Sequence, residues 1–331
     1  MHRMAILGRI KKDLIHWLVN TFENTIFATA LLVIAILFES GCKHHQDRYI
    51  SQQSAVGNDS TFGHPVSVGK IQSGEMDEVS GIAVSRHNSN YIWAHNDSGD
   101  DPRLFLVDKE GKLVRSYHLA GAENRDWEDM AIGPGPNSNR TYLYVADIGD
   151  NSPSEEILQI YRLPEPEFIP NTSQPVDTLE NVEKLEFRYP ENRSYNAETL
   201  LIDPLTRDLY IVTKYEGQEK LFRLSYPQAT SNVDTAELTG TIPFFGMLGG
   251  DISADGRMII LKTQTQVLIW HLNEEETPTS ITDKIPGRLP YNEEPQGEAL
   301  GIAPDGSGYY TISEYVGGKS PVIYYYPRIT K

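Results

Sequence analysis

The chain has 331 residues, a hydrophobic share of 39% and 18 tyrosines, which is enough to bury a sizeable core. Its formal net charge at pH 7 is −17. A field of this sign repels nucleic acid and concentrates cations at any concave acidic surface, so we expect no nucleic-acid partner. The single cysteine excludes an intrachain disulfide framework.

The N-terminal segment has the pattern of an export signal. Basic residues Arg9, Lys11 and Lys12 precede an apolar run of 13 residues over Ile26–Phe38. This run fits the hydrophobic part of a signal peptide and is shorter than the roughly 20 residues that cross a bilayer. The segment therefore predicts that the rest of the chain lies outside the cytoplasm.

The residues that follow the apolar run resemble a bacterial lipobox. Small residues precede Cys42, whereas Glu39 departs from the aliphatic residue usual in that motif. The resemblance implies lipidation of Cys42 and a location in the bacterial cell envelope, while an uncleaved anchor and ordinary secretion are the alternatives. We expect a signal peptide over residues 1–42, a polar tether over 43–63 and a folded domain over 64–331.

A repeat of about fifty residues organises the folded domain. Five segments place an isoleucine four residues after a glutamate or a leucine, and the isoleucines lie 50, 70, 50 and 50 residues apart. The segments are Glu78–Ile82, Glu128–Ile132, Glu198–Ile202, Leu248–Ile252 and Glu298–Ile302. Further β-rich runs follow each segment, and turn residues separate them.

This period predicts an all-β fold, a single β-propeller of five four-stranded blades, with six blades as the alternative. The longer interval contains an insertion around residues 164–180 that is too short for another blade. The last repeat has only three strands, and an unassigned strand over residues 65–72 precedes the first repeat. We expect this N-terminal strand to complete the last blade and close the ring.

The repeat also predicts an acidic pocket at the propeller axis. The first strand of each blade lines the axis and the second runs antiparallel beside it, so the start of one meets the end of the other at the same rim. First strands begin at Glu78, Glu128, Glu198 and Glu298. Second strands end at His95, Asp147, Lys214, Lys262 and Glu314, and Asp97 follows the first of them.

Carboxylates this close raise one another's pKa unless something compensates their charge, and two outcomes are open. In one, a hard cation such as Ca²⁺ is bound by oxygen ligands, with Glu78, Asp97, Glu128, Asp147, Glu198 and Glu298 as candidates. In the other, Lys214 and Lys262 pair with the glutamates and no metal is needed. A further interpretation is that the glutamates only cap exposed backbone N–H groups.

The remaining site residues are assigned by their position at the same rim. Candidate ligand-binding residues are Trp127, Asp129, Lys214, Lys262 and Glu314. Candidate catalytic residues are His95 as a general base, Glu128 and Asp147. Trp127 has the alternative of filling the gap between two blades.

Several motifs resemble those of a largely uncharacterised family of secreted or lipid-anchored bacterial propellers. They are Asn96-Asp-Ser-Gly99, Asp126-Trp-Glu-Asp129, Ala146-Asp-Ile-Gly-Asp-Asn151, Ala197-Glu-Thr199 and Gln296-Gly-Glu-Ala299, within Val66–Tyr326. The resemblance implies fold and export but no reaction. More distantly the chain is similar to phytase-like and gluconolactonase-type propellers, which use axial acids to hold Ca²⁺.

Three functions follow as hypotheses. The first is an envelope-anchored propeller whose acidic axial pocket binds a small ligand and a divalent cation. The second is a calcium-dependent hydrolase of a phosphate ester, lactone or sugar derivative. The third is a non-catalytic scaffold that binds a glycan or an envelope protein.

Overall fold

The computed structural model describes residues 56–151, 154–168 and 176–329. The predicted signal peptide, the lipidation site at Cys42 and most of the predicted tether lie outside these residues. Within the described ranges, the helical segments are the short 3-10 turns Pro190–Asn192 and Pro278–Asp283. None of the helices there is long and apolar enough to cross a membrane.

Five antiparallel sheets form the blades, which we number along the chain, and this confirms the predicted five-bladed propeller. From the axis outward, the strands of blades 1 to 3 are Val79–Val84, Tyr91–Asn96, Arg103–Asp108 and Leu113–Leu119; Trp127–Pro134, Thr141–Asp147, Leu158–Pro164 and Glu183–Arg188; and Ala197–Ile202, Leu209–Thr213, Glu219–Leu224 and Glu237–Ile242. Those of blades 4 and 5 are Met247–Ile252, Met258–Thr263, Val267–His271 and Gly287–Leu289; and Gly297–Ile302, Gly308–Ser313, Val322–Pro327 and Val66–Lys70.

The N-terminal strand closes the ring, as predicted. Val66–Lys70 pairs antiparallel with Val322–Pro327, so the last blade combines strands from both ends of the domain. The inner strands contact one another in chain order, and the inner strand of blade 5 contacts that of blade 1. Ring closure leaves no inner strand unpartnered and brings all five inner strands around one axis.

Three short parallel strands cover outer edges of the blades. They are Gly57–Asn58 on blade 4, Val176–Leu179 on blade 1 and Asp234–Thr235 on blade 2. The second of these belongs to the insertion that lengthens one repeat. Phe62 is wholly buried against the ring of Tyr309, so the last residues of the predicted tether form part of the folded domain.

Aromatic and aliphatic side chains fill the spaces between blades. Trp127 is wholly buried between blades 1 and 2, and its ring centroid lies 5.9 Å from that of Tyr161. Its indole N–H donates to the carbonyl of Glu123. Trp127 therefore fills the gap between blades and does not form an exposed wall of a pocket.

Buried aspartates connect neighbouring inner strands. Asp129 in blade 2 accepts hydrogen bonds from the N–H groups of Met130 at 2.8 Å and of Leu200 in blade 3 at 3.0 Å. Asp251 in blade 4 does the same for Ile252 and for Ile302 in blade 5. The structure therefore gives Asp129 a structural role in the core instead of the ligand-binding role suggested by its motif.

Replacing Asp129 by alanine should lower the free energy of unfolding by about 2–4 kcal/mol, because two buried backbone N–H groups lose their acceptor. Urea denaturation measures this free energy. The control is Asp101→Ala at an exposed site, which should change the free energy of unfolding by no more than about 0.5 kcal/mol. Equal stabilities of the two variants would contradict the role of Asp129 in joining the inner strands of blades 2 and 3.

Candidate functional site

A β-bulge at the second residue of every inner strand determines which side chains reach the axis. The register with the second strand shifts at this residue in all five blades. The bulged residues are Ser80, Glu128, Glu198, Leu248 and Glu298. Because a bulge re-aims its side chain, these five residues form a ring of equivalent positions.

Glu128, Glu198 and Glu298 meet within this ring, and we call them the acidic triad. One carboxylate oxygen from each lies within 4.8 Å of the others. Glu128 and Glu198 are buried, and Glu298 is partly buried. The hydroxyl of Ser80 lies 3.4 Å from Oε2 of Glu298, so a fourth oxygen borders the triad.

Two further carboxylates join the triad at Glu128. Oxygens of Asp97 and Asp126 lie within 4.8 Å of each other and of a Glu128 oxygen. A Cβ at Gly149 would lie against carboxylate oxygens of Asp126 and Glu128, so any larger residue there would displace them. Five carboxylates therefore gather at one mouth of the propeller, which we call the acidic mouth.

Lys214 is the cation that contacts the triad directly. Its ammonium group pairs with Oε1 of Glu198 and lies 4.0 Å from Oε1 of Glu298. The other oxygen of Glu198, Oε2, is buried and has no hydrogen-bond partner among the described residues. One ammonium group next to five carboxylates leaves most of the negative charge uncompensated.

Lys262 does not supply the missing charge by direct pairing. It is wholly buried and donates to the carbonyl of Gly297. Burial lowers the pKa of Lys262 to about 8, although Glu294 and Glu298 act in the opposite direction. Of the two lysines predicted to neutralise the glutamates, only Lys214 forms an ion pair with the triad.

Burial and mutual repulsion raise the pKa values of these acids. Burial raises the pKa of Glu128 well above its ordinary value, and the repulsion of Glu198, Asp97, Asp126 and Glu298 adds to the rise. Burial likewise raises the pKa of Glu198 to about 8, although the Lys214 ammonium lowers it. Without a bound cation, the triad therefore retains protons near neutral pH.

The acids nearer the rim show the same effect. Burial and the repulsion of Asp97 and Asp147 raise the pKa of Asp126 to about 6. For Glu314, burial and the repulsion of Glu298 and Asp97 raise the pKa to about 7. Carboxyl groups are thus crowded from the buried triad to the surface of the acidic mouth, and each of these groups gives up its proton less readily than in water.

The strand register shows which predicted rim residues reach the acidic mouth. Asp97, Lys214 and Glu314 each follow directly after a second strand and occupy equivalent positions. His95 and Lys262 lie one residue inside the ends of their strands, and both are wholly buried. The first three side chains are therefore available at the mouth, and the last two are not.

His95 does not fit the general-base role suggested by the sequence. Its Nδ1 bonds to the carbonyl of Asn96 at 2.9 Å, and its ring packs edge-on against Trp127. Burial lowers the pKa of His95 to about 4. A neutral, enclosed imidazole has no open path to a substrate.

Glu78 and Asp147 also lie outside the triad. Glu78 is exposed and precedes its inner strand, in the position that Asp126 occupies in blade 2, while Ser80 takes the bulge position. Asp147 is buried and pairs with Arg125 at 2.9 Å. It also accepts hydrogen bonds from Gln159 and from the N–H of Asp126, so its oxygens are already engaged.

The opposite mouth differs in chemistry. Ile132, Ile202 and Ile252, from the last part of the inner strands of blades 2 to 4, line a cavity of about 450 Å³ there together with Arg86. The two ends of the inner strands therefore differ: carboxylates gather at one, and isoleucines lie beside Arg86 and Arg140 at the other.

The fold and this site define a five-bladed β-propeller with an acidic axial mouth. No known family model and no curated protein matches the chain. Solved structures similar to it include an auxiliary nutrient binding protein from Bacteroides thetaiotaomicron, with a TM-score of 0.43 and 10% identity over 80% of this chain and 77% of that one. The WD40 domain of Neurospora crassa Pan2 has a TM-score of 0.41 and 10% identity, covering 83% and 99%. These likenesses concern the fold alone.

The raised pKa values predict that the cation-free protein becomes less stable as the pH rises. Between about pH 5 and pH 8 the folded protein holds protons on Glu198 and Glu314 that the unfolded chain has lost, so stability falls through this window. In thermal unfolding measured in EDTA, Tm should fall as the pH rises from 5 to 8. The Tm of Glu198→Gln should change less steeply with pH. A Tm that rises over this range would contradict the charge account.

Proposed function

We propose that the acidic mouth binds a divalent cation, with Ca²⁺ as the best fit, and that this cation holds a small oxygen-rich ligand. The observation that supports the proposal is the acidic triad, in which three carboxylates from three blades converge and Oε2 of Glu198 is buried with no partner in the part of the chain that the structure describes. A cation would satisfy this oxygen and offset the repulsion that raises the pKa values of the triad.

The chemistry of the donors favours a hard cation. The triad offers carboxylate oxygens with the Ser80 hydroxyl beside them, and these are ligands for Ca²⁺, Mg²⁺ or Mn²⁺. Zn²⁺ sites commonly use histidine or cysteine, which the triad does not contain. Ca²⁺ takes six to eight oxygens in flexible geometry, so a ligand or water can complete its coordination.

The rival arrangement, in which lysine alone balances the glutamates, leaves a large charge deficit. Lys214 satisfies one oxygen of Glu198, whereas the four groups that act most strongly on Glu128 are all carboxylates. Lys214 then has a different role, because its ammonium restrains Glu198 and lies beside the place where a ligand would arrive.

We propose binding in preference to hydrolysis. Among the described residues, His95 is enclosed and Asp147 is fully paired, so two of the three predicted catalytic residues cannot act in the mouth. The third, Glu128, belongs to the proposed cation site. A cation-dependent ligand-binding propeller accounts for these positions without an added reaction.

We also propose, on the N-terminal sequence pattern, that the protein works in the bacterial cell envelope and is anchored through lipid on Cys42. The variant Cys42→Ser should then move from the membrane fraction to the soluble fraction of fractionated cells. If the variant still fractionates with membranes like the parent, the lipid anchor is wrong.

Calcium should bind at the triad and stabilise the fold. At pH 8 and a Ca²⁺ concentration a hundred times the Kd, Tm should rise by roughly 5 °C or more. The same Ca²⁺ concentration should raise Tm by less at pH 5, because protons compete with Ca²⁺ for the carboxylates and weaken binding. In isothermal titration calorimetry, Glu128→Gln should weaken binding by about tenfold or more.

Glu78→Gln is the matched control for this experiment, since Glu78 carries the same charge at the exposed rim. We expect Glu78→Gln to change the Kd by less than about threefold. The proposal is wrong if Ca²⁺, Mg²⁺ and Mn²⁺ all produce neither heat nor a Tm shift. Equal weakening in the two variants would place the cation at the rim and outside the triad.

A further inference from the structure

We propose that Tyr215 and Phe245 form a stacking platform for a sugar ring at the edge of the acidic mouth, and therefore that the ligand is a saccharide. This inference rests on the proposed function in one respect, because the ligand that the cation holds and the ligand on the platform are taken to be the same molecule.

The two rings are displayed to solvent as a pair. Tyr215 is 59% exposed and Phe245 is 49% exposed, and their ring centroids lie 5.2 Å apart. Each ring follows a buried residue, Lys214 and Phe244 respectively. Paired aromatic rings in water keep a large apolar surface that a ligand with an apolar face can cover.

A buried carboxylate holds the two loops that carry these rings. Glu219 is wholly buried and accepts hydrogen bonds from the N–H groups of Tyr215 at 3.0 Å, Glu216 at 3.2 Å and Gly246 at 2.7 Å. It therefore fixes the Tyr215 loop of blade 3 to the loop that leads into blade 4. The platform is preorganised, so a ligand would not have to order it.

Tyr215 has a strained backbone conformation. Its φ is 67°, in the left-handed region that a bulky residue rarely adopts. Residues held in this region are concentrated at functional sites. Phe244 packs into the core near Trp270, which anchors the neighbouring loop while Phe245 points outward.

The platform adjoins the acidic triad through Lys214. The Lys214 ammonium lies 5.0 Å from the centroid of Tyr215 and also pairs with Glu198. A ligand stacked on the rings therefore reaches a hydrogen-bond donor and carboxylate acceptors at one edge. Tyr315, which is 48% exposed, follows Glu314 and places another aromatic ring at the equivalent position of blade 5.

A saccharide combines the two surfaces that this arrangement requires. The C–H face of a pyranose packs against the negative face of an aromatic ring, and its hydroxyls bond to charged groups and coordinate Ca²⁺. Nucleotides also stack, but their phosphates are repelled by a chain with a net charge of −17. A purely apolar ligand would form no hydrogen bond with Lys214 or the carboxylates and would remove water from them.

The test uses biolayer interferometry with biotinylated tetrasaccharides of glucose, mannose, galactose, N-acetylglucosamine and galacturonic acid, in calcium and in EDTA. We expect at least one tetrasaccharide to bind. Tyr215→Ala and Phe245→Ala should weaken its binding by roughly tenfold or more, whereas Tyr215→Phe, which keeps the ring, should bind nearly as the parent does. Leu205→Ala is the surface control, because Leu205 is exposed and lies in the turn at the other end of the strand Leu209–Thr213.

The outcomes separate this inference from the proposed cation site. The platform is wrong if no tetrasaccharide binds the parent protein, or if Tyr215→Ala binds as tightly as Tyr215→Phe while both bind Ca²⁺ normally. Saccharide binding that depends on Tyr215 but is unchanged in EDTA would support the platform and overturn the shared role of the cation.

Discussion

Repulsion between carboxylates at the propeller axis is the interaction on which the site depends. Asp97 and Asp126 meet Glu128, which also belongs to the acidic triad, and the Lys214 ammonium pairs with Glu198 of the triad. Such crowding is unfavourable in a medium of low dielectric constant, and proteins relieve it by protonation or by a bound cation. The raised pKa values describe the first route, and the proposed Ca²⁺ provides the second.

The propeller can hold this arrangement because the interactions that stabilise the fold lie outside the acidic mouth. Ring closure by Val66–Lys70 pairs the ends of the domain, and aromatic residues such as Trp127 fill the spaces between blades. Asp129 and Asp251 join neighbouring inner strands by hydrogen bonds. A repeated bulge then directs one side chain per blade toward the axis, so the identity of that residue changes the site without changing the fold.

Much of the fold was predictable because the repeat has a regular period. Five blades, closure by the N-terminal strand and the convergence of Glu128, Glu198 and Glu298 all follow from that period and from strand geometry. The prediction that Glu78 occupies the same position as the three glutamates of the triad was wrong, because the bulge of the first blade lies two residues later, at Ser80. A one- or two-residue shift of this kind has no signal in a single sequence, yet it separates a triad position from the exposed rim.

The roles of His95, Lys262 and Asp129 could not be inferred for a related reason. Each lies close in sequence to residues of the acidic mouth, but the pleat and the packing between blades bury all three. Asp126 was visible in the densest acidic motif and joins Glu128 in the structure. Tyr215 directly follows the rim residue Lys214 in the sequence, whereas its pairing with Phe245 depends on the hydrogen bonds by which Glu219 joins their two loops.

A crystal structure of the protein grown with Ca²⁺, and a second with Tb³⁺ for its anomalous signal, tests the central claim most directly. The account predicts an anomalous peak at about 2.3–2.6 Å from carboxylate oxygens of Glu128, Glu198 and Glu298, with Oε2 of Glu198 among the ligands. An axis without a peak, at which the Lys214 ammonium alone bridges the three glutamates, would contradict it.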